Sequence, residues 1–219
     1  GFDGFEAIAF NGNKIYITIE AENDGEMVSY LVWGKIDSKS LEVVINEEDL
    51  QTIKTPIQLN NISFESLLIN DKDVVMIYEA NGSNLNKNAT QTVFSHKRNN
   101  ISQINFPNIE YRITDATRMD NNGRFWAINY FWPGDKKLLN PGRDNILNKV
   151  KQGRSHFKSD QIERLVEFQV NQGKISISDT KPMQLFLESD ASRNWEAVAR
   201  LDDKGLLIAS DKHPRMILG

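Results

Sequence analysis

The chain has 219 residues, of which 39% are hydrophobic, and its formal net charge is −4. This length and composition can bury a sizeable core, so we expect a folded protein rather than a disordered one. Its 30 acidic residues outnumber its 26 basic residues, which argues against a nucleic-acid partner, because such binding depends on neutralising phosphates. The absence of cysteine excludes a disulfide framework and a cysteine nucleophile. No apolar run in the sequence approaches the ~20 residues of a transmembrane helix.

Four segments repeat one pattern, in which an acidic residue leads a mostly apolar stretch and a turn and a second strand follow. The leading acids are Glu6, Glu65, Asp115 and Glu196. The turns at 11–13, 70–73, 120–123 and 202–205 draw on Asn, Asp and Gly, which are typical of tight hairpins. The second strands at 14–20, 74–79, 124–129 and 206–211 are rich in Ile, Val, Tyr, Phe and Trp, as β-strands are.

An outer hairpin follows in the first three units, with strands at 30–36 and 41–45, 91–95 and 101–104, and 165–170 and 174–177. Four-stranded antiparallel units at a period of roughly 50 residues predict an all-β chain folded as a β-propeller. A sandwich of short strands is the structural alternative. The predicted blades of this single domain lie at about 4–46, 62–106 and 112–178, with a partial blade at about 193–219.

The third unit carries an insertion at 133–160. Asp144 can cap a short helix there, and we predict helical structure around 144–154. The insertion is either a connection packed on the blade or a lid that shapes a pocket.

The fourth unit stops within its third strand, and no spare strand is available to close a ring. We therefore expect about four blades, the last of them incomplete, from a larger propeller with at least one blade upstream.

The start of one hairpin strand and the end of its partner lie at the same end of a sheet. Propeller geometry then predicts that Glu6, Glu65, Asp115 and Glu196 converge on the mouth of a central channel. A second set stands behind them, fourteen residues further along in each unit: Glu20, Glu79, Asn129 and Ser210. Clustered oxygen ligands suit Ca²⁺ or Mg²⁺, so the four acids are candidate calcium ligands, and Asp115 and Glu196 are candidate catalytic carboxylates. Alternatively, the acids begin strands, accept backbone hydrogen bonds and pair with arginines.

Five basic residues are candidates for binding an anionic or phosphorylated ligand. Arg112 and Arg193 each precede a leading acid by three residues. Arg118 follows Asp115, while Lys212 and His213 end the last hairpin. Such side chains form charge-assisted hydrogen bonds to phosphate and carboxylate groups.

Several segments resemble exported bacterial proteins, often lipoproteins, of the phytase-like or "esterase-like activity of phytase" propeller group. They read GFEAIAF at 4–10, ITDATR at 113–118, GRFWAINY at 123–130, NWEAVARLDD at 194–203 and ASDK at 209–212. The resemblance implies a β-propeller in the periplasm or on the cell envelope, with calcium binding and phosphoester or ester hydrolysis as candidate properties. It carries over only the four leading acids, as channel-facing positions, and no catalytic set.

Two classes of function stay open. The first is a calcium-dependent hydrolase of a phosphorylated or ester substrate, in which Glu196 orients water and the basic residues hold the anion. The second is a non-catalytic envelope module whose rigid face binds a protein partner, a glycan or a small anionic ligand. A recognisable catalytic set is missing from the sequence, which favours the second class.

Overall fold

The computed structural model describes residues 1–147, 149–187, 192–211 and 217–219, and for Glu47 it describes the backbone only. Within these ranges the chain consists of β-strands and short connections with a single short α-helix, so the predicted all-β class is confirmed. The described positions form two compact units, residues 1–79 with 91–103 and residues 80–90 with 104–219. No helix in these ranges is long and apolar enough to cross a membrane.

The first unit contains two antiparallel meanders, apart from a few strand-end residues that fall in the second unit. The strands of the first meander are β1 (Phe2–Asn11), β2 (Lys14–Asn23), β3 (Glu26–Ile36) and β4 (Val43–Ile45). A 3₁₀ turn at Glu47–Asp49 leads to β5 (Gln51–Ile53), which also pairs with β3. The strands of the second meander are β6 (Phe64–Asn70), β7 (Asp73–Tyr78), β8 (Thr90–Ser95) and β9 (Asn100–Asn105).

The second unit contains a third four-stranded meander and a final hairpin. The meander strands are β10 (Arg112–Ala116), β11 (Arg124–Phe131), β12 (Ile162–Asn171) and β13 (Lys174–Ile177). The short β14 (Met183–Gln184) pairs with β12. The hairpin is formed by β15 (Trp195–Arg200) and β16 (Leu206–Ser210), and Leu218 bridges to Ala209 of β16.

Tight turns join the first two strands of each meander, as the sequence predicts. In the turn of the third meander, Gly123 has a φ of +71°, and a Cβ at this position would lie 2.8 Å from the carbonyl oxygen of Val170. Asp120 Oδ1 accepts the N–H groups of Asn122 and Arg124, both at 2.9 Å. A short carboxylate and a glycine thus satisfy the two local requirements of this turn.

Within each compact unit, the first strand of the later meander or hairpin packs against the meander before it. In the first unit β6 contacts β1 and β2, and Thr18 Oγ1 donates to the carbonyl oxygen of Phe64 at 3.0 Å. In the second unit β15 contacts β10 and β11, and Thr114 Oγ1 donates to the carbonyl oxygen of Trp195. This packing is consistent with neighbouring propeller blades, which are four-stranded sheets arranged around a central channel.

The insertion between β11 and β12 has a different local structure from the one predicted. A 3₁₀ turn at Pro133–Asp135 runs into the α-helix α1 (Lys136–Leu139), and another 3₁₀ turn covers His156–Lys158. The helix predicted around 144–154 is wrong, because residues 145–147 form a turn. Asp144 does cap that turn, since its Oδ1 accepts the N–H groups of Ile146 and Leu147.

The physical reason lies in tertiary contacts of the insertion. Asp144 Oδ2 accepts a hydrogen bond from the buried Arg164 at 2.8 Å, and Gly142 N donates to Glu110 Oε2 at 2.8 Å. These bonds fix the backbone on both sides of the cap. A helix of only two or three turns has too little intrinsic stability to compete with such contacts.

Candidate functional site

Each of the four leading acids lies at a β-bulge in the first strand of its meander or hairpin. Phe5 pairs with Ile19 and Ala7 with Thr18, so Glu6 is an extra residue in β1. The same one-residue shift occurs at Glu65 in β6 and at Glu196 in β15, and in β10 it falls between Ile113 and Ala116, which enclose Asp115. A bulge redirects the side chain of the extra residue. The sequence repeat therefore reflects one repeated backbone feature.

Asp115 shows what such an acid does in the second unit. Its Oδ1 accepts the N–H of Ala116 at 2.7 Å, and its Oδ2 accepts the N–H of Val198 on β15 at 2.7 Å. The carboxylate thus satisfies a donor at its own bulge and fastens β10 to β15. Both bonds favour the charged form of the side chain.

The pKa of Asp115 is nevertheless raised to about 7, mainly because the side chain is buried. The two backbone hydrogen bonds oppose this rise, while the charge of Glu196 adds to it. Asp115 and Glu196, the two candidate catalytic carboxylates, are therefore close enough to interact electrostatically. A pair of carboxyl groups in which one has a raised pKa can in general serve acid–base chemistry.

The remaining leading acids lie in the first unit. Glu65 is buried on β6, and Glu6 is partly buried on β1. The convergence of all four acids on one channel mouth stays a prediction.

All four residues of the second oxygen-bearing set are buried: Glu20, Glu79, Asn129 and Ser210. Asn129 Nδ2 donates to the carbonyl oxygens of Glu110 and Arg112, at 2.9 and 3.1 Å. Ser210 Oγ accepts the N–H of Ile217 at 2.9 Å. Asn129 and Ser210 thus satisfy backbone groups near the strand ends.

Three of the five candidate anion-binding residues pair with carboxylates of the protein. Arg112 lies 3.5 Å from Asp135, Arg193 lies 2.7 Å from Glu163, and Arg118 pairs with Asp202 on the surface. Lys212 and His213 lie outside the described residues. The structure therefore gives these arginines protein acceptors, whereas their role in binding an anion stays a prediction.

The sequence reasoning missed a buried polar network at the start of β12. Glu163 is fully buried, and its Oε2 accepts hydrogen bonds from Arg193 Nε at 2.9 Å and Trp195 Nε1 at 2.7 Å. The neighbouring Arg164 is 1% exposed and donates through Nε to Asn129 Oδ1 and through Nη1 to Asp144 Oδ2, both at 2.8 Å. Two adjacent opposite charges flanked by the apolar Ile162 and Leu165 were the available signal, because such residues are rarely buried unless paired.

The two carboxylate oxygens of Asp115 do not fit a calcium site. Both of its oxygens already accept backbone N–H groups, whereas calcium takes six to eight oxygen ligands. Over the described parts of the chain, no three His, Asp or Glu side chains are grouped as one metal-ligand set. Calcium binding therefore stays a prediction that this geometry does not support.

Comparison with known proteins gives no family assignment. No family model matches the chain, and no curated protein matches it. Among solved structures the chain is similar to a luciferin-regenerating enzyme, with 11% identity over 98% of this chain and 71% of that one, at a TM-score of 0.42. The resemblance to the phytase-like group stays a prediction.

Proposed function

We propose that the chain contributes successive blades to one β-propeller domain and acts as a non-catalytic binding module of the cell envelope. The proposed blades are the units at about 4–46, 62–106, 112–178 and 193–219. Three complete meanders and the packing of β6 and β15 on the preceding meanders support this arrangement.

The observation that favours a non-catalytic role is the hydrogen bonding of Asp115. Its two oxygens hold amides of β10 and β15. A carboxylate used in this way stabilises the contact between adjacent strands, and an equivalent acid stands at the bulge in each of the other units. A structural role explains an acid that recurs in all three meanders and in the final hairpin, whereas a single active site requires only one such acid.

The second candidate is a phosphoester or ester hydrolase. It is favoured by the raised pKa of Asp115, about 7, next to the charge of Glu196. In this proposal the protonated Asp115 supplies a proton and the Glu196 carboxylate orients water, which are the acid and base roles of general acid–base catalysis.

A substrate panel separates the two candidates. The chain is assayed with phosphomonoester, phosphodiester and carboxylic ester substrates, with and without calcium. Glu196→Gln is the test variant, and Glu26→Gln is the matched control, because Glu26 is an exposed residue of the β2–β3 hairpin. We expect no turnover above buffer by any of the three proteins. Turnover that Glu196→Gln abolishes and Glu26→Gln retains would overturn the binding-module proposal and support the hydrolase.

A further inference from the structure

The second unit contains a cavity of about 440 Å³ with a largely apolar wall. The wall is formed by Trp126 of β11, Leu165 of β12, Met183 of β14 with the adjacent Leu185, and Leu206 and Ile208 of β16. This volume falls in the lower part of the range of small-molecule sites, roughly 300–1,000 Å³. The cavity can therefore hold a compact ligand with an apolar body.

Arg200 borders the same cavity at the end of β15. Glu196 lies four residues earlier on this strand, which places the two backbone positions about 13 Å apart at 3.3 Å per residue. The guanidinium of Arg200 is thus a different site from the Glu196 carboxylate, and a result here leaves the proposed function standing.

Two nitrogen atoms of the Arg200 guanidinium lack a hydrogen-bond acceptor among the described residues. Its Nε and Nη2 are both buried, and neither has a hydrogen-bond partner. Arginine stays charged in proteins, and a buried charge without a partner is unfavourable. A guanidinium pairs strongly with a carboxylate through charge-assisted hydrogen bonds, so an anion beside Arg200 would compensate its charge.

The charges at the rim of the cavity favour an anion of low charge. Asp202 and Asp203 both line the cavity. Asp202 is paired with Arg118, while Asp203 is exposed, where solvent and salt weaken its repulsion. A single negative charge at Arg200 is compatible with this rim, whereas a phosphate dianion meets twice the repulsion from Asp203.

We propose that this cavity binds a small monocarboxylate with an apolar body, whose carboxylate pairs with the guanidinium of Arg200. The apolar body packs against Trp126 and the leucine and isoleucine side chains of the wall. Burial of this body provides most of the affinity, and Arg200 selects the anion.

The test is calorimetric titration of the whole chain with decanoate and with decanol, which has the same number of carbon atoms and no charge. We expect decanoate to bind at least about tenfold more tightly than decanol, because hydrogen bonds to charged groups are among the stronger ones. Arg200→Gln is expected to weaken decanoate binding by about tenfold or more and to leave decanol binding unchanged. Arg98→Gln is the control, because Arg98 is an exposed arginine of the first unit.

Met183→Trp provides a second variant that keeps Arg200. Met183 is 40% exposed at the cavity wall, so a larger side chain fits there without disturbing the core. We expect the indole to obstruct the cavity and weaken both ligands. The proposal is overturned if decanoate does not bind the unmodified chain, if decanol binds as tightly as decanoate, or if both variants bind decanoate as the unmodified chain does.

Discussion

The substitution Asp115→Asn tests whether the partly buried bulge carboxylate is a structural acceptor. The side chain is held by Ala116 and Val198, and burial raises its pKa from 3.8 to about 7. Between these two values the folded protein binds more protons than the unfolded chain. The stability that the neutral carboxyl provides is therefore fully present below the unfolded pKa and is lost as the pH rises through the folded pKa.

The magnitude follows from the displacement of the pKa. A pKa moved from 3.8 to about 7 corresponds to about 4 kcal/mol once the pH exceeds both values. About 2–3 kcal/mol of this loss develops between pH 5 and pH 7.5. Asparagine does not titrate, but its amide has one oxygen and leaves one backbone N–H without an acceptor, which costs about 1–3 kcal/mol.

The assay is urea unfolding of the unmodified chain and the variant at pH 5, 6, 7 and 7.5. At pH 5 we expect Asp115→Asn to be the less stable protein, and the difference should shift in favour of the variant by about 2–3 kcal/mol by pH 7.5. Asp120→Asn is the control, since Asp120 also accepts two backbone N–H groups but lies in an exposed turn. A difference for Asp115→Asn that stays constant over this range would refute the reasoning.

Three further predictions follow from burial, ion pairing and the metal fit. Phe64 is fully buried, whereas Phe5, which also directly precedes its bulge acid, is 66% exposed. In urea unfolding, Phe64→Ala should therefore lower the stability by about 3–5 kcal/mol and Phe5→Ala by less than about 0.5 kcal/mol, and similar losses for the two variants would contradict this. Arg193→Met leaves the buried Glu163 without its ion pair and should cost about 3–5 kcal/mol, whereas a loss below about 1 kcal/mol in the same assay would speak against the pair. Calcium or a chelator should leave the Tm unchanged in scanning calorimetry, and a Tm that rises with calcium concentration would show a binding site in the folded state.

Local features of the sequence were sufficient to predict the strands of the meanders and their turns, whereas the short β5 and β14 were not predicted. Alternation of apolar and polar residues marks a strand, and a short polar residue or glycine marks a turn, because both depend on residues close together in the chain. The turn at 120–123 is an example, since Asp120 bonds the amides of Asn122 and Arg124. The repeat also located the four leading acids, although the bulges beneath them were not predicted.

The roles of the side chains depend on distant parts of the chain. Val198, whose amide bonds Asp115, is 83 residues away, and Trp195 reaches Glu163 across 32 residues. No local pattern encodes such partners, because they are set by which strands pack together. The same reason applies to the insertion, where contacts to Arg164 and Glu110 produce a turn at a capped segment that by itself predicts a helix.

Phe5 and Phe64 show which properties follow from the sequence and which follow from the tertiary structure. Both residues precede a bulge acid on the first strand of a meander, so the sequence alone assigns them the same strand position. Phe64 is buried because β6 lies against β1 and β2, whereas Phe5 is largely exposed. The sequence determined the strand, the turn and the position of the acid, since these follow from local backbone preferences. Only the tertiary structure decided which of the equivalent side chains is buried and which donors each carboxylate accepts, since both depend on the neighbouring strand.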